Sequence, residues 1–487
     1  MENEAKHVKL KDNKIFRWII IPICIALCLF SRFIPSFGGL NQDAIGVLGI
    51  FLGSIILWLT IGIDWPSVLC IFSLGFISSL GFSKVLSSSF GNATFVFLLF
   101  TFICTYALSK TSLIKRISIA FVNNKLAKKS GRGFIALFLL AVLILGLFIS
   151  PSVLFVIILP ILEEIFKLAK LDKDDKAAKV LMLGLGFTVS ISSGMTPIAH
   201  VFPVLALTAA GVEISAAVYM GFAIPAGLVL FGLMLLILLF IIRPDASKLK
   251  NVDVSSIKDE LPPIDKKDVI TVIIFGIVIL LWIIPSFFKD AAPDFYNAIN
   301  QYGTAMPPLL GTILLCVIRV KDKPLINVTD AFKNGVPWSA LLMCAATLVL
   351  GVAMTDSKVG LSAWLETNLS GSLASLPAFA LLFIFALWAA LQTNVSSNMV
   401  TATLVATVAA SVIRGSGIAL NVGAVAAIIG MLASFAFATP PSMPHIAIVA
   451  GSDYCSTKDV LIYGALLMVA SILVALATYP LANIMIK

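Results

Sequence analysis

Residues 376–413 read LPAFALLFIFALWAALQTNVSSNMVTATLVATVAASVI and contain no Asp, Glu, Lys or Arg. About 20 helical residues cross a bilayer core, so the run is too long for one span and too apolar for a solvated loop. Its middle holds a polar knot, Asn394-Val395-Ser396-Ser397-Asn398. A helix, a tip and a returning helix accommodate both facts, and we read a re-entrant hairpin. Residues 133–169 repeat the pattern, with Ser150-Pro151-Ser152 at the middle.

Working outward, the same apolar character fills the chain. Of 487 residues, 60% are AVILMFWYC and only 12% are charged, with mean hydropathy +1.06; soluble domains carry about 25% charged residues. Apolar windows at 16–34, 44–62, 66–81, 94–114, 177–207, 214–242, 268–287, 304–319, 337–355, 421–449 and 458–485 add eleven spans to the two hairpins. This predicts an all-α polytopic membrane protein, with no room left for a soluble catalytic or nucleic-acid-binding domain. The seven Cys are scattered, without CxxC spacing or His neighbours, and read as small buried apolar residues.

The net charge of +9 is informative by position, because Lys and Arg mark cytoplasmic loops. With a cytoplasmic N-terminus, the even-numbered spans return to loops carrying Lys115, Arg116, Lys125, Lys128, Lys129 and Arg132, then Arg243, Lys248, Lys250, Lys258, Lys266 and Lys267, then Arg319, Lys321, Lys323 and Lys333. The opposite loops 288–303 and 356–375 hold one Lys each, Lys289 and Lys358. The basic head Lys9, Lys11, Lys14 and Arg17 before Trp18 resembles a signal peptide but lacks a small-x-small cleavage site, so we read a retained first helix. These features place the chain in the cytoplasmic membrane as a multi-pass protein.

The two halves echo each other. Phe90-Gly91-Asn92 matches Phe332-Lys333-Asn334-Gly335; each precedes an apolar run, a Lys-containing amphipathic stretch (110–125 and 358–369) and a hairpin. Each hairpin is followed by a helix broken by Thr and Pro: Ser193-Gly194-Met195-Thr196-Pro197 and Ala438-Thr439-Pro440-Pro441. We therefore assign two repeats, 1–244 with the cytoplasmic-side hairpin and 267–487 with the outer-side hairpin, joined by a polar linker at 245–266. By the span count the repeats are inverted, and inverted repeats with paired broken helices are the architecture of secondary transporters.

Non-helical backbone in a bilayer must be buried in protein or line a polar cavity, so the two tips and two breaks converge. Helix N-termini and the hydroxyls of Ser150, Ser152, Ser397, Thr196 and Thr439, with the Asn398 amide, make a set of neutral donors suited to carboxylates. Singly, each motif could be a helix kink whose Ser or Thr bonds its own backbone; four motifs in two matched pairs favour a site. His200 and His445 follow the two breaks, whereas His7 lies in the N-terminal tail. An ionisable side chain in a span is a functional hypothesis by default, with a neutral, hydrogen-bonded interior His as its bland alternative. Two lone His do not make a zinc set, and no HExxH, Walker A loop or nucleophile elbow is present. Neither a metal, a cofactor nor an enzyme is indicated. Glu163, Glu164, residues 172–176, Asp453 and Lys458 read as solvated loops, and Arg414 and Lys358 as snorkelling ends.

These residues resemble the divalent anion/sodium symporter family of dicarboxylate transporters. The most specific pieces are Phe90-Gly91-Asn92 with Lys110-Thr111-Ser112-Leu113, Ile149-Ser150-Pro151-Ser152 running to Pro160, Ser397-Asn398-Met399-Val400-Thr401, and Ala436-Phe437-Ala438-Thr439-Pro440-Pro441. The resemblance implies a homodimer in which a transport domain slides elevator-fashion against a scaffold. It also implies that Ser-Asn-Thr tip motifs hold the substrate carboxylates and, with the breaks, flank sodium. The substrate residues carried over are Ser150, Pro151, Ser152, Thr196, Ser397, Asn398, Met399, Thr439, Pro440 and Pro441.

This sequence departs from that pattern at the tips. Pro151 stands where the motif has Asn, Met399 where it has Thr, and Ser442 where the second break has Asn, followed by Met443-Pro444-His445. Proline removes both a side-chain donor and a backbone N–H, which argues against sodium coupling. His200 and His445 are then the candidates to balance substrate charge. The expected function is sodium-independent exchange of C4 or C5 dicarboxylates such as succinate, malate, fumarate or 2-oxoglutarate, with the family's exchanger branch as the nearest likeness. Sodium-coupled symport is the first alternative and an anion channel the second.

Overall fold

The computed structural model describes residues 14–122, 129–198, 200–250, 252, 263–288, 292–361, 363–364 and 376–486. His7, Lys9, Lys11, Lys125, Lys128, Lys258 and Lys289, most of the 245–266 linker and the end of the 358–369 stretch lie outside the described residues, as does the side chain of Pro441.

The chain opens with α1 (Lys14–Phe30), α2 (Gln42–Thr60), α3 (Asp64–Leu74), α4 (Gly81–Ser88), α5 (Ala93–Ser109) and α6 (Leu113–Val122). Next come α7 (Gly131–Gly146), α8 (Pro151–Leu168), α9 (Lys176–Met195), α10 (Phe202–Ala209) and α11 (Ala216–Leu236). The second half runs through α12 (Lys266–Phe287), α13 (Pro293–Asn300), α14 (Met306–Val317), α15 (Trp338–Thr355), α16 (Ala378–Val395), α17 (Asn398–Ser416), α18 (Val422–Ser434), α19 (Pro444–Ala450) and α20 (Thr457–Met485). The strands β1 (Arg319–Val320) and β2 (Lys323–Pro324) pair antiparallel. Their two-residue turn places Lys321 and Asp322 at φ 52° and 62°, the twist that a tight hairpin requires.

Helix starts follow local chemistry. Asn41, Asn92, Ser130, Ser215 and Asn421 each accept an N–H from the first turn of α2, α5, α7, α11 and α18, and Ser456 with Asp459 forms a capping box on α20. Such caps satisfy donors that the helix itself leaves free.

Among the described residues, nine helices are long and apolar enough to cross a membrane. Length alone does not separate spans from hairpin arms, because the nine include α16 and α17. Two expected spans are shorter than their windows. The window 66–81 yields the eleven residues of α3 and then turns before Gly81, which adopts φ 71°; the window 304–319 yields the twelve residues of α14 and then bends into the β hairpin. Beyond α3 only Phe76, Ile77 and Leu80 keep the window apolar, and beyond α14 only Ile318 precedes Arg319.

The helices pack in two groups. In one, α2, α3, α5, α12, α14 and α15 contact each other, with α1 against α2; in the other, α7–α11 and α16–α20 pack on one another. Across the second group, α10 lies on α17 and α18, while α19 lies on α8 and α9. The second part of each broken helix thus rests on the first part of the other broken helix and on the return arm of the other hairpin. The groups meet where α10 touches α15 and α11 touches α12.

Candidate functional site

Four interruptions of helix converge within the second group. The first tip, 147–150, joins α7 to α8; the second, 396–397, joins α16 to α17. The first break lies between α9 and α10, and the second between α18 and α19, where a short 3-10 turn covers Pro440–Ser442.

Each tip is tied to its own break by one hydroxyl. Thr196 Oγ1 donates to the Leu147 carbonyl at 2.8 Å, and Thr439 Oγ1 donates to the Asn394 carbonyl. In both cases the acceptor lies three residues before the tip serine, Ser150 or Ser397. The second tie is reinforced: Asn394 Oδ1 accepts the N–H groups of Phe437 at 2.8 Å and Ala438 at 2.7 Å, and its Nδ2 donates to the Ala390 carbonyl at 2.8 Å. Phe437 and Ala438 are buried, so without Asn394 two non-helical donors would face a dry interior. Asn394 is a structural residue that motif reading overlooks, although it sits inside the polar knot.

The breaks also touch each other through glycine. A Cβ on Gly194 would lie 2.5 Å from a Phe435 ring carbon, and one on Gly430 would lie 2.6 Å from the Pro203 Cα. No larger residue fits at Gly430 without moving backbone.

Neither Ser150 nor Ser397 caps the helix that follows it, which leaves both hydroxyls and the first-turn N–H groups of α8 and α17 for another partner. Asn398 is 5% exposed, and neither its Oδ1 nor its Nδ2 has a hydrogen-bond partner among the described residues. Thr401 Oγ1 turns back to the Ser397 carbonyl at 3.0 Å.

A cavity of about 380 Å³ lies at the first tip, between the two helical groups, lined by Ser150, Pro151, Ser152, His200 and Met399 together with Tyr106 of α5. No Asp, Glu, Lys or Arg lines it. Thr196, Ser397, Asn398, Thr439, Pro440 and His445 are not in its wall. Ser397, Thr439 and Pro440 are half-buried, and Thr196 is fully buried. The two histidines, which the sequence treats alike, part here. His200 faces the cavity, 4.2 Å from the Phe202 ring, and its Nδ1 is buried without a partner. His445 is 1% exposed and shares a 2.8 Å hydrogen bond with Ser190 Oγ of α9. Ser190 also lies 3.3 Å from the Ala436 carbonyl, so the bond ties α9 to the second break. Ser190 carried no sequence signal beyond the run of small polar residues that ends α9.

Comparison with known proteins decides the family. A family model described as the sodium:sulfate symporter transmembrane region matches residues 15–485, almost the whole chain. The chain belongs to that family. As a sodium:sulfate symporter family member it is a multi-pass membrane transporter and not an enzyme, as its sequence resemblance implied. Similar proteins include the sodium-dependent dicarboxylate transporter SdcS of Staphylococcus aureus. The USA300 strain protein is 25% identical over 413 residues, covering 81% of this chain and 77% of the relative. The MRSA252 protein is 25% identical over 420 residues, covering 82% and 78%. The names of these family relatives state sodium dependence, which runs against the expectation drawn from Pro151.

Proposed function

We propose that the protein carries C4 or C5 dicarboxylates, exchanging one for another without sodium. The observation that carries the reading is Asn398: a buried amide with both polar atoms unpartnered, at a tip where a helix begins, beside a site without fixed charge. An unmade buried hydrogen bond costs about 1–3 kcal/mol, and a carboxylate at the α17 N-terminus would accept from Nδ2 while the helix dipole favours its charge. Ser150 and Ser152, with the N–H groups that open α8, would take the second carboxylate. Thr196, Thr439, Pro440 and Pro441 hold the breaks open, Met399 closes the apolar side, and His200 faces the substrate to balance charge. His445 acts from behind, through Ser190.

Sodium independence is supported by Pro151, which gives the first tip neither an amide oxygen nor a backbone N–H where the second tip has Asn398. Movement is elevator-like in this reading, with the hairpin-bearing group sliding against the α5, α12, α14 and α15 group in a homodimer. In this reading the N-terminus is cytoplasmic, which the positive-inside bias of the loops supports. Sodium-coupled symport is the second reading, and the names of the SdcS relatives favour it.

Proteoliposomes separate the two. Labelled succinate should enter vesicles loaded with unlabelled succinate or 2-oxoglutarate, ignore external sodium, and enter empty vesicles poorly. Uptake into empty vesicles that requires sodium would establish symport and defeat the argument from Pro151. No uptake under either condition would remove dicarboxylates as substrates.

A further inference from the structure

A second cavity, about 460 Å³, adjoins the first and shares Tyr106 with it. Three lysines from separate elements line it: Lys110 at the end of α5, Lys267 in the first turn of α12 and Lys323 in β2. None of them forms an ion pair among the described residues. The carboxylate in this wall, Asp330, is already engaged: Oδ1 accepts from Asn334 at 2.6 Å and Oδ2 from the Tyr106 hydroxyl at 2.9 Å. Those two bonds hold its carboxyl below the usual range. Three ammonium groups against one carboxylate leave two positive charges in the bowl.

The position of the bowl matters as much as its charge. Tyr106, Asp330 and Asn334 form a hydrogen-bonded partition, with Asn334 facing the first cavity and Asp330 the second. The Lys110 ammonium lies 4.7 Å from the Tyr106 ring centroid, a cation–π distance that directs it over the partition. The tight turn at Lys321 and Asp322 leads into β2, whose Lys323 lines the bowl.

We propose that this bowl is a vestibular site that captures a divalent carboxylate before it passes Tyr106 to the hairpin tips. The inference rests on the dicarboxylate reading above and adds where that substrate first binds on the basic-loop side. A bowl of net positive charge concentrates counter-charged ligand and raises its capture rate by about tenfold or more. Because the lysines are exposed, salt should screen the effect over roughly 8 Å at physiological ionic strength.

The test measures succinate uptake in inside-out and right-side-out membrane vesicles from cells making the full-length protein. In the wild type, kcat/KM from the basic-loop face should fall about tenfold from low to high potassium chloride. Combined Lys110→Gln, Lys267→Gln and Lys323→Gln should lower the ratio of kcat/KM between the two faces about tenfold at low salt, and Arg at the same positions should restore it. A wild type indifferent to salt, or a ratio unmoved by the Gln variant, overturns the proposal. So does a salt dependence of uptake by the purified protein that is present in proteoliposomes of phosphatidylglycerol and phosphatidylcholine but lost in phosphatidylcholine alone, since the bowl would then hold lipid phosphate. A wild type that takes up no succinate from either face would fail earlier, at the dicarboxylate reading itself.

Discussion

Replacing Asn394 with Leu tests the tie between the second tip and its break. The side chains branch alike at Cγ and have the same number of heavy atoms, so the change removes hydrogen bonds while keeping the side chain's shape. It leaves the N–H groups of Phe437 and Ala438, now held at 2.8 and 2.7 Å, without an acceptor in a buried segment. At about 1–3 kcal/mol for each unmade bond, the native geometry of the break loses about 2–6 kcal/mol. Since each 1.4 kcal/mol is a factor of about ten, the equilibrium constant for ordering the break should fall at least about twentyfold. Succinate exchange in proteoliposomes should drop accordingly, and the detergent-solubilised protein should melt several degrees lower by intrinsic fluorescence. The Thr439→Val variant removes one donor from the Asn394 main-chain carbonyl and should show a smaller loss, about 1 kcal/mol. If Asn394→Leu melts and transports like the wild type, Asn394 is not what shapes the break.

Other consequences are open to measurement. Thr196→Val should cost about 0.5–1.5 kcal/mol by deleting the bond to the Leu147 carbonyl, read as a lower melting temperature with a raised KM for succinate. Gly430→Ala should destabilise by about 1–3 kcal/mol, because its methyl would meet the Pro203 backbone at 2.6 Å; an unchanged melting temperature would show that the helices can separate there. His200→Ala should weaken succinate exchange through the cavity wall, and His445→Ala through the lost Ser190 bond, each while leaving expression intact. Asp175 accepts from Lys248 and from the Asp172 N–H, which keep its carboxyl below the usual range. A carboxyl lowered on folding contributes stability above its unfolded pKa of about 3.9 that is lost as pH falls. This exposed pair should therefore add under about 1 kcal/mol at neutral pH, and Lys248→Met should flatten the acid limb of a melting-temperature profile.

Much of this architecture was legible in the sequence because hydrophobic length is a blunt and dependable signal. Residues 133–169 and 376–413 are too long for a span and polar at the middle, and each becomes two helices with a tip between them. Thr196-Pro197 and Thr439-Pro440 announced the breaks, since proline withholds a donor and hinders helical geometry before it. Partnerships between distant residues were not legible. Nothing in the spacing says that Asn394 serves the N–H groups of Phe437 and Ala438, or that Ser190 meets His445. The histidines show the limit of arguing by correspondence. His200 is four residues past Thr196, in the break before α10, and faces the cavity, whereas His445 is six past Thr439, in the first turn of α19, and turns into the interior. The windows at 66–81 and 304–319 each hold a helix but overran α3 and α14, because hydropathy averages over the turn residues that follow them.

The glycine crossing has a consequence for anyone wishing to retune the transporter. Where α9 and α10 meet α18, main chain and ring lie against Gly194 and Gly430 with no room for a methyl group, so the spacing of the two breaks is fixed by the backbone. Trimming side chains at the crossing offers no slack to harvest. A pocket for a longer diacid would have to be carved at the tips, where Ser152 and Met399 face open space, or obtained by changing the length of a hairpin arm. Selection for longer substrates should accordingly gather its substitutions around residues 150–153 and 396–399, and leave the crossing untouched.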